Sequence, residues 1–139
     1  MTIRPLLVEL LCILVAGSAF ASKDAPPMPG VLANARYVYV TALDGDQYNP
    51  HLLPEDRTAI TRVQEAIQKW GKLTLVYRLE DADIVIAVES RPSEDVLAVY
   101  DADQYPDTFL WRVMGRGGLQ KGETPLISEF QHAFEKVAR

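Results

Sequence analysis

Residues 84–88 read Ile-Val-Ile-Ala-Val, five consecutive apolar residues between Asp83 and Glu89. A strand with one face in water alternates polar and apolar side chains, whereas a strand covered on both faces is apolar at every position. This run therefore predicts the central strand of a sheet, with the remaining strands and helices arranged around it.

Four further segments predict strands, because they are rich in β-branched and aromatic residues or alternate in polarity. They are residues 37–41, 72–78, 96–100 and 109–114. The last two flank the turn-forming residues 101–107, so we expect them to pair as a hairpin.

Two amphipathic helices are predicted. The first begins at Pro54 and ends near Trp70, before Gly71, and the second begins with Thr124 as N-cap and Pro125 at its first position. Their apolar stripes, at helical spacing, are Ile60, Val63, Ile67 and Trp70 in the first helix and Leu126, Phe130, Ala133, Phe134 and Val137 in the second.

The resulting order is βαββββα. This order predicts one α+β domain over residues 36–139, with a four- to five-stranded mixed or mainly antiparallel sheet and two amphipathic helices on one face. The opposite face of the sheet is then left for solvent, for a partner or for a second copy of the chain.

Residues 1–21 predict a cleavable signal peptide. Their start is basic, residues 6–15 are mostly apolar, and residues 19–21 read Ala-Phe-Ala, a small-x-small cleavage pattern. The apolar stretch is short for a bilayer span. We therefore expect a periplasmic or secreted protein with no stable membrane insertion after cleavage, and retention of the signal as an anchor is the alternative. The proline content of residues 22–35 predicts a flexible leader.

The sole cysteine, Cys12, lies within this signal. Its removal would exclude disulfides, thiolate metal sites and a cysteine nucleophile from the mature domain. Glu9 and Leu11 fit a lipid-attachment site at Cys12 poorly, so we expect a soluble rather than a lipid-anchored protein.

The charge balance bears on the class of partner. Nineteen acidic and fourteen basic residues give a net charge of −5. Because nucleic-acid binding requires a basic face that neutralises phosphates, this balance argues against a nucleic-acid partner.

Several short motifs carry a resemblance to a known group of proteins. They are residues 40–46, 53–57, 70–71, 82–85, 99–101, 110–112 and 117–119. The chain resembles small exported bacterial domains of unknown function, which in turn are similar to envelope lipoprotein-type α+β domains that are mostly uncharacterised. The resemblance covers most of residues 36–139 and implies a fold and an envelope location. It brings no catalytic residues with it, and this chain lacks a credible lipid-attachment site.

Aromatic residues on the predicted sheet are candidates for partner binding. Tyr37 and Tyr39 point to the same face of their strand, and Tyr100 and Trp111 join them if the strand register allows. Such a stripe on an uncovered face is typical of a binding or homodimer surface. The alternative is that these rings complete the core.

Three basic residues near the last strand predict a positive patch on an otherwise acidic domain. Arg112, Arg116 and Lys121 could receive a carboxylate of a protein or an anionic envelope polymer. The neighbouring residues 117–124 have the glycine spacing of a phosphate-binding loop, but Glu123 stands where the lysine is required, which excludes nucleotide binding.

Two loops share the pattern Asp-x-Asp-Gln-Tyr. Asp44 and Asp46 lie in the first loop, and Asp101 and Asp103 lie in the second. Carboxylate oxygens are the ligands that calcium prefers, so the four aspartates predict an irregular calcium site if the loops converge. The alternative is that they form turns.

No activated nucleophile or general base can be identified. Neither His51 nor His132 lies in a catalytic motif, and both are expected to be exposed. The sequence therefore predicts a noncatalytic envelope or secreted interaction domain that binds a protein or polymer and needs no cofactor. The alternative is a small calcium-binding or hydrolytic periplasmic protein that uses the aspartate loops.

Overall fold

The computed structural model describes residues 25–119 and 125–138. Its strands and helices are β1 (Tyr37–Ala42), α1 (Pro54–Trp70), β2 (Thr74–Val76), β3 (Ile84–Ser90), β4 (Asp95–Asp101), β5 (Trp111–Gly115) and α2 (Pro125–Val137). The predicted order βαββββα is confirmed. The signal peptide with Cys12, the first three residues of the leader, Lys121 and the N-cap Thr124 lie outside the described residues.

The five strands form one mixed sheet in the order β2-β1-β3-β4-β5. The first three of these are parallel, and β4 and β5 add antiparallel to them. The apolar run of residues 84–88 lies in β3, the middle strand, and all five of its side chains are buried. The expected hairpin is also present, since Val99 of β4 pairs with Trp111 of β5.

Both helices cover the same face of the sheet. Their buried side chains form one large core with the alternate residues of β1, β3, β4 and β5. At its centre Phe130 contacts the edges of two indole rings, with centroid distances of 5.9 Å to Trp70 and 6.1 Å to Trp111. Such edge-to-face contacts add to the free energy of burying the rings.

The chain is a single α+β domain, as predicted. Neither helix in the described part of the chain combines the length and apolar composition that a membrane span requires.

The strand predicted over residues 72–78 is shorter in the structure, at Thr74–Val76. Because β2 and β3 lie on opposite sides of β1 and are both parallel to it, the connecting residues 77–83 must cross β1. Leu79 packs against the face of the sheet that the helices leave uncovered, so the crossing passes over that face. β2 ends at Val76 because the chain turns there to cross β1.

Residues 25–35 of the predicted leader pack against the domain. A 3-10 turn at Gly30–Asn34 buries Leu32 and Ala33, and Met28 is 5% exposed in the main core. The indole Nε1 of Trp111 donates a hydrogen bond to the Pro26 carbonyl at 2.6 Å. The prolines do favour extended backbone here, but the apolar residues between them bind the segment to the core.

The leader therefore contributes to stability, and substitutions within it test this. We expect Met28→Ala to lower the free energy of unfolding by about 2–4 kcal/mol, because it removes a buried side chain. The matched control is Val31→Ala, since Val31 is 68% exposed in the same segment and should change it by less than about 0.5 kcal/mol. Urea unfolding of both variants measures the difference. Equal effects would show that the leader does not pack in solution.

Candidate functional site

The face of the sheet opposite the helices, which we call the open face, carries a second and smaller apolar cluster. Val85 of β3 pairs with Tyr39 on one side and Tyr100 on the other, so a phenol ring flanks it on each side. Ala87 and Ala98 continue the cluster along β3 and β4. The small side chains in the middle leave room above the sheet for the residues that fold over it.

Three loops fold over the open face and border a pocket that is open to solvent. They are residues 43–48, which follow β1, residues 77–83, which cross β1, and residues 102–107, whose Tyr105 packs edge-on against Tyr100 at 5.0 Å. The pocket has a volume of about 370 Å³. We call it the tyrosine pocket, and its lining residues are Tyr39, Thr41, Gly45, Asp46, Tyr48, Tyr77, Arg78, Leu79, Glu80 and Tyr105.

Short-range hydrogen bonds hold the first of these loops in place. Gly45 turns the chain back on Ala42, with which it exchanges two backbone hydrogen bonds, and Thr41 Oγ1 donates to the Gly45 carbonyl at 3.1 Å. The φ angle of Gly45 is +149°, and a Cβ there would lie 2.6 Å from Asn49 Nδ2. Glycine adopts this positive φ without strain and so favours the turn, which places Asp46 at the pocket.

Charged groups at the rim complete the lining. Arg78 and Glu80 form an exposed ion pair at 2.7 Å. Asp46 Oδ1 accepts a hydrogen bond from the backbone N–H of Tyr48 at 2.9 Å. Tyr48 and Tyr77 are 70% and 51% exposed, so their rings are accessible to a ligand that approaches the rim.

The environment raises the pKa of two of the lining phenols. Burial raises the pKa of Tyr39, and the negative charge of Asp46 raises it further. Burial likewise raises the pKa of Tyr105, with smaller contributions from Tyr100 and Tyr39. A hydrogen bond with Thr41 opposes both shifts. Both phenols therefore stay neutral near neutral pH.

The expected aromatic stripe is only partly formed. Tyr37, Tyr39 and Tyr100 lie on the open face, and Tyr39 and Tyr100 belong to its apolar cluster. Trp111 does not join them, because it pairs with Val99 rather than with Tyr100. That register directs its ring into the main core, where it is buried.

The two described residues of the predicted positive patch, Arg112 and Arg116, are exposed and do not line the tyrosine pocket. Arg112 lies over the ring of Phe109, with its guanidinium carbon 4.8 Å from the ring centre. Arg116 is exposed in the turn that follows β5. Lys121 lies outside the described residues.

The two aspartate loops begin at opposite ends of the sheet. Asp101 pairs with Ile84 at the start of β3, whereas Asp44 follows Ala42, which pairs with Val88. At about 3.3 Å per strand residue, four residues of β3 separate these ends by roughly 13 Å. Within residues 25–119 and 125–138, no three or more His, Asp or Glu side chains form a group that could hold a metal ion.

The aspartates of these loops have local partners instead. Asp101 Oδ1 accepts from the backbone N–H of Asp103 at 3.0 Å, which closes a turn. Asp44 forms an ion pair with Arg91 at 2.7 Å. Asp44 and Asp101 therefore each have a partner of their own among the described residues.

The partner of Asp44 belongs to a buried polar network that the sequence reasoning missed. Arg91 Nη1 donates to Asp56 Oδ1 at 2.8 Å, and Asp56 is fully buried in α1. Asp56 also accepts from the backbone N–H of Ser90 at 2.9 Å. Its other oxygen, Oδ2, has no hydrogen-bond partner among the described residues. The network places a carboxylate inside the protein and offsets its charge with one guanidinium.

A second buried carboxylate completes the network. Asp95 accepts from the Ser90 hydroxyl at 2.8 Å and from the backbone N–H of Leu119 at 2.8 Å. It thereby ties the turn between β3 and β4 to the loop that follows β5. The sequence carried one signal of this network, since Asp56 precedes Ile60 by four residues and so lies on the apolar stripe of α1.

Comparisons with known proteins add little to this geometry. No protein-family model and no curated protein matches the sequence. Among solved structures, the PelC dodecamer from Paraburkholderia phytofirmans matches with a TM-score of 0.47 and 14% sequence identity, over 81% of this chain and 95% of that one. A likeness at this level transfers neither residues nor activity.

Removal of Arg91 should be far more costly than removal of a surface arginine. We expect Arg91→Ala to lower the free energy of unfolding by about 3–5 kcal/mol, because it leaves Asp56 as an unpaired buried charge. The matched control is Arg78→Ala, which breaks an exposed ion pair and should cost less than about 1 kcal/mol. Denaturant unfolding measures both, and Arg91→Lys, which keeps the charge, should fall between them. Similar losses for the two alanine variants would contradict the structural role of the network.

The raised pKa of Tyr39 can be measured by following phenolate absorbance with rising pH. We expect Tyr39→Phe to remove a group that ionises above the ordinary value of 10.0, and Asp46→Asn to lower the pKa of Tyr39. Because the folded pKa exceeds the unfolded one, the stability that Tyr39 contributes is complete below pH 10.0 and is lost as pH rises through the folded pKa. A measured pKa of Tyr39 at or below 10.0 would contradict the burial of this phenol beside Asp46.

Proposed function

We propose that this protein is a noncatalytic interaction domain of the cell envelope or of the secreted fraction, and that it binds its partner at the tyrosine pocket. The observation that carries the proposal is the gathering of Tyr39, Tyr48, Tyr77 and Tyr105 around one pocket on the open face. These residues come from three separate segments of the chain. Their convergence is a property of the fold.

The composition of the pocket favours binding. Tyrosine offers a large, rigid contact surface with a polar end, and it is enriched in protein interfaces for that reason. The exposed rings of Tyr48 and Tyr77 stand at the rim, while Tyr39 and Tyr105 are half-buried beneath them. A ligand would therefore meet aromatic surface from the entrance to the floor of the pocket.

The ionisable groups of the pocket favour binding over catalysis. Raised pKa values make Tyr39 and Tyr105 weaker acids than ordinary phenols, so they are poorly suited to transferring a proton near neutral pH. The lining carboxylate of Glu80 is neutralised by Arg78.

The export of the domain through the signal in residues 1–21 is part of the same proposal.

Capture from envelope extract with immobilised domain tests the function. We expect the wild type to retain a component that Tyr39→Ala retains at least about tenfold less, which corresponds to about 1.4 kcal/mol of binding free energy. The matched control is Tyr37→Ala, because Tyr37 lies on the same strand and face but does not line the pocket. Circular dichroism establishes that both variants are folded. Unchanged capture by Tyr39→Ala, or equal losses in the two variants, would count against the tyrosine pocket.

A further inference from the structure

The aromatic lining of the tyrosine pocket selects among ligand chemistries. The face of a phenol ring carries negative potential, and organic cations bind over such faces. Four tyrosines line this one pocket, together with the aliphatic side chain of Leu79. A ligand that matches this lining combines positive charge with apolar surface.

The charges at the rim favour a cation as well. Three charged residues line the pocket, Asp46, Arg78 and Glu80. Arg78 and Glu80 neutralise each other in an ion pair. Asp46 has no ion-pair partner among the described residues, and its contact there is the hydrogen bond from the backbone N–H of Tyr48. The net charge of the lining is therefore negative.

The effect of Asp46 reaches the floor of the pocket. Its charge is one of the causes that raise the pKa of both Tyr39 and Tyr105. A carboxylate that disfavours a phenolate at these positions favours a positive group there by the same Coulomb interaction. The volume of about 370 Å³ lies within the range of small-molecule sites and exceeds what an inorganic ion requires.

We propose that the tyrosine pocket binds an organic ammonium group, held over the rings of Tyr39, Tyr48 and Tyr77 and paired with the carboxylate of Asp46. This inference rests on the proposed function and names the ligand class for the same pocket. Two sources present this group, a small solute of the choline type and the alkylated ammonium of a lysine side chain. A methylated ammonium fits best, because its methyl groups match the apolar lining and weaken its hydration.

Nuclear magnetic resonance titration of the folded domain tests the ligand class. The probes are choline, tetramethylammonium and 3,3-dimethylbutan-1-ol, the uncharged isostere of choline. We expect both cations to shift tyrosine ring resonances saturably and the neutral isostere to bind at least about tenfold more weakly. Sodium chloride at matched ionic strength controls for screening. Equal binding of choline and its isostere, or no saturable shift with either cation, would overturn the inference.

Variants at the exposed rim locate the cation without disturbing the sheet. Tyr48→Leu and Tyr77→Leu should each weaken choline binding several-fold, and Tyr48→Phe, which keeps the ring, should weaken it less. Asp46→Asn keeps the hydrogen bond to the Tyr48 backbone but removes the charge, so it should also weaken binding. Tyr37→Leu, on the same face outside the pocket, should leave it unchanged. A loss in Tyr37→Leu equal to that in Tyr48→Leu would contradict the placement.

A peptide arm separates the two sources. Tighter binding of a trimethyllysine peptide than of choline assigns the ammonium to a protein, and equal binding assigns it to a small solute.

The capture experiment keeps the proposed function and the proposed ligand class distinguishable. If capture depends on Tyr39 but no cation binds, the ligand class is wrong and the interaction function stands. If choline binds but capture is independent of Tyr39, the pocket is a solute site and the interaction function is wrong.

Discussion

The ion pair between the half-buried Arg91 and the fully buried Asp56 is a constraint that several elements of the fold share. It joins helix α1 to the end of β3, and through Ser90 and Asp95 it extends to β4 and to the loop at Leu119. A buried carboxylate is tolerated only where its partners are fixed, because the cost of leaving it unpaired is several kcal/mol. The same guanidinium holds Asp44, two residues before Asp46. One guanidinium therefore contacts both the buried Asp56 and the loop that carries Asp46.

The second determinant is the short edge strand β2. In the observed register, a strand that continued to Arg78 would pair Tyr77 and Arg78 with β1 and keep them at the edge of the sheet. Because β2 ends at Val76, residues 77–83 cross β1 and bring Tyr77, Arg78 and Leu79 over the sheet. A face that the element order alone leaves to solvent thus becomes one wall of a pocket. Topology, more than any single motif, creates the candidate site.

The spacing of apolar residues was enough to predict the strands and helices. It could not predict contacts between segments that are distant in sequence. The apolar run at 84–88, the stripes of both helices and the shared face of Tyr37 and Tyr39 follow from local spacing. The side of Trp111 depends on pairing register, where one residue of slip reverses a side chain, and so could not be read locally. The three loops of the pocket meet only in the folded structure, so local spacing does not predict the pocket. The leader has the composition of a flexible proline-rich segment, so its packing could not be predicted either. Asp56 was readable from its place on the helical stripe, but its charge suggested a surface position.

The packing of Pro26 against Trp111 has a consequence for how the domain is presented. That contact lies on the helix-covered side of the sheet, whereas the tyrosine pocket opens on the opposite side. Because residues 25–35 are bound to the core, the chain reaches the domain from a fixed direction. Residues 25–35 therefore join the domain on the side opposite the opening of the tyrosine pocket. The packing of the leader thus fixes the direction of residues 25–35 relative to the pocket, which a flexible segment would leave variable.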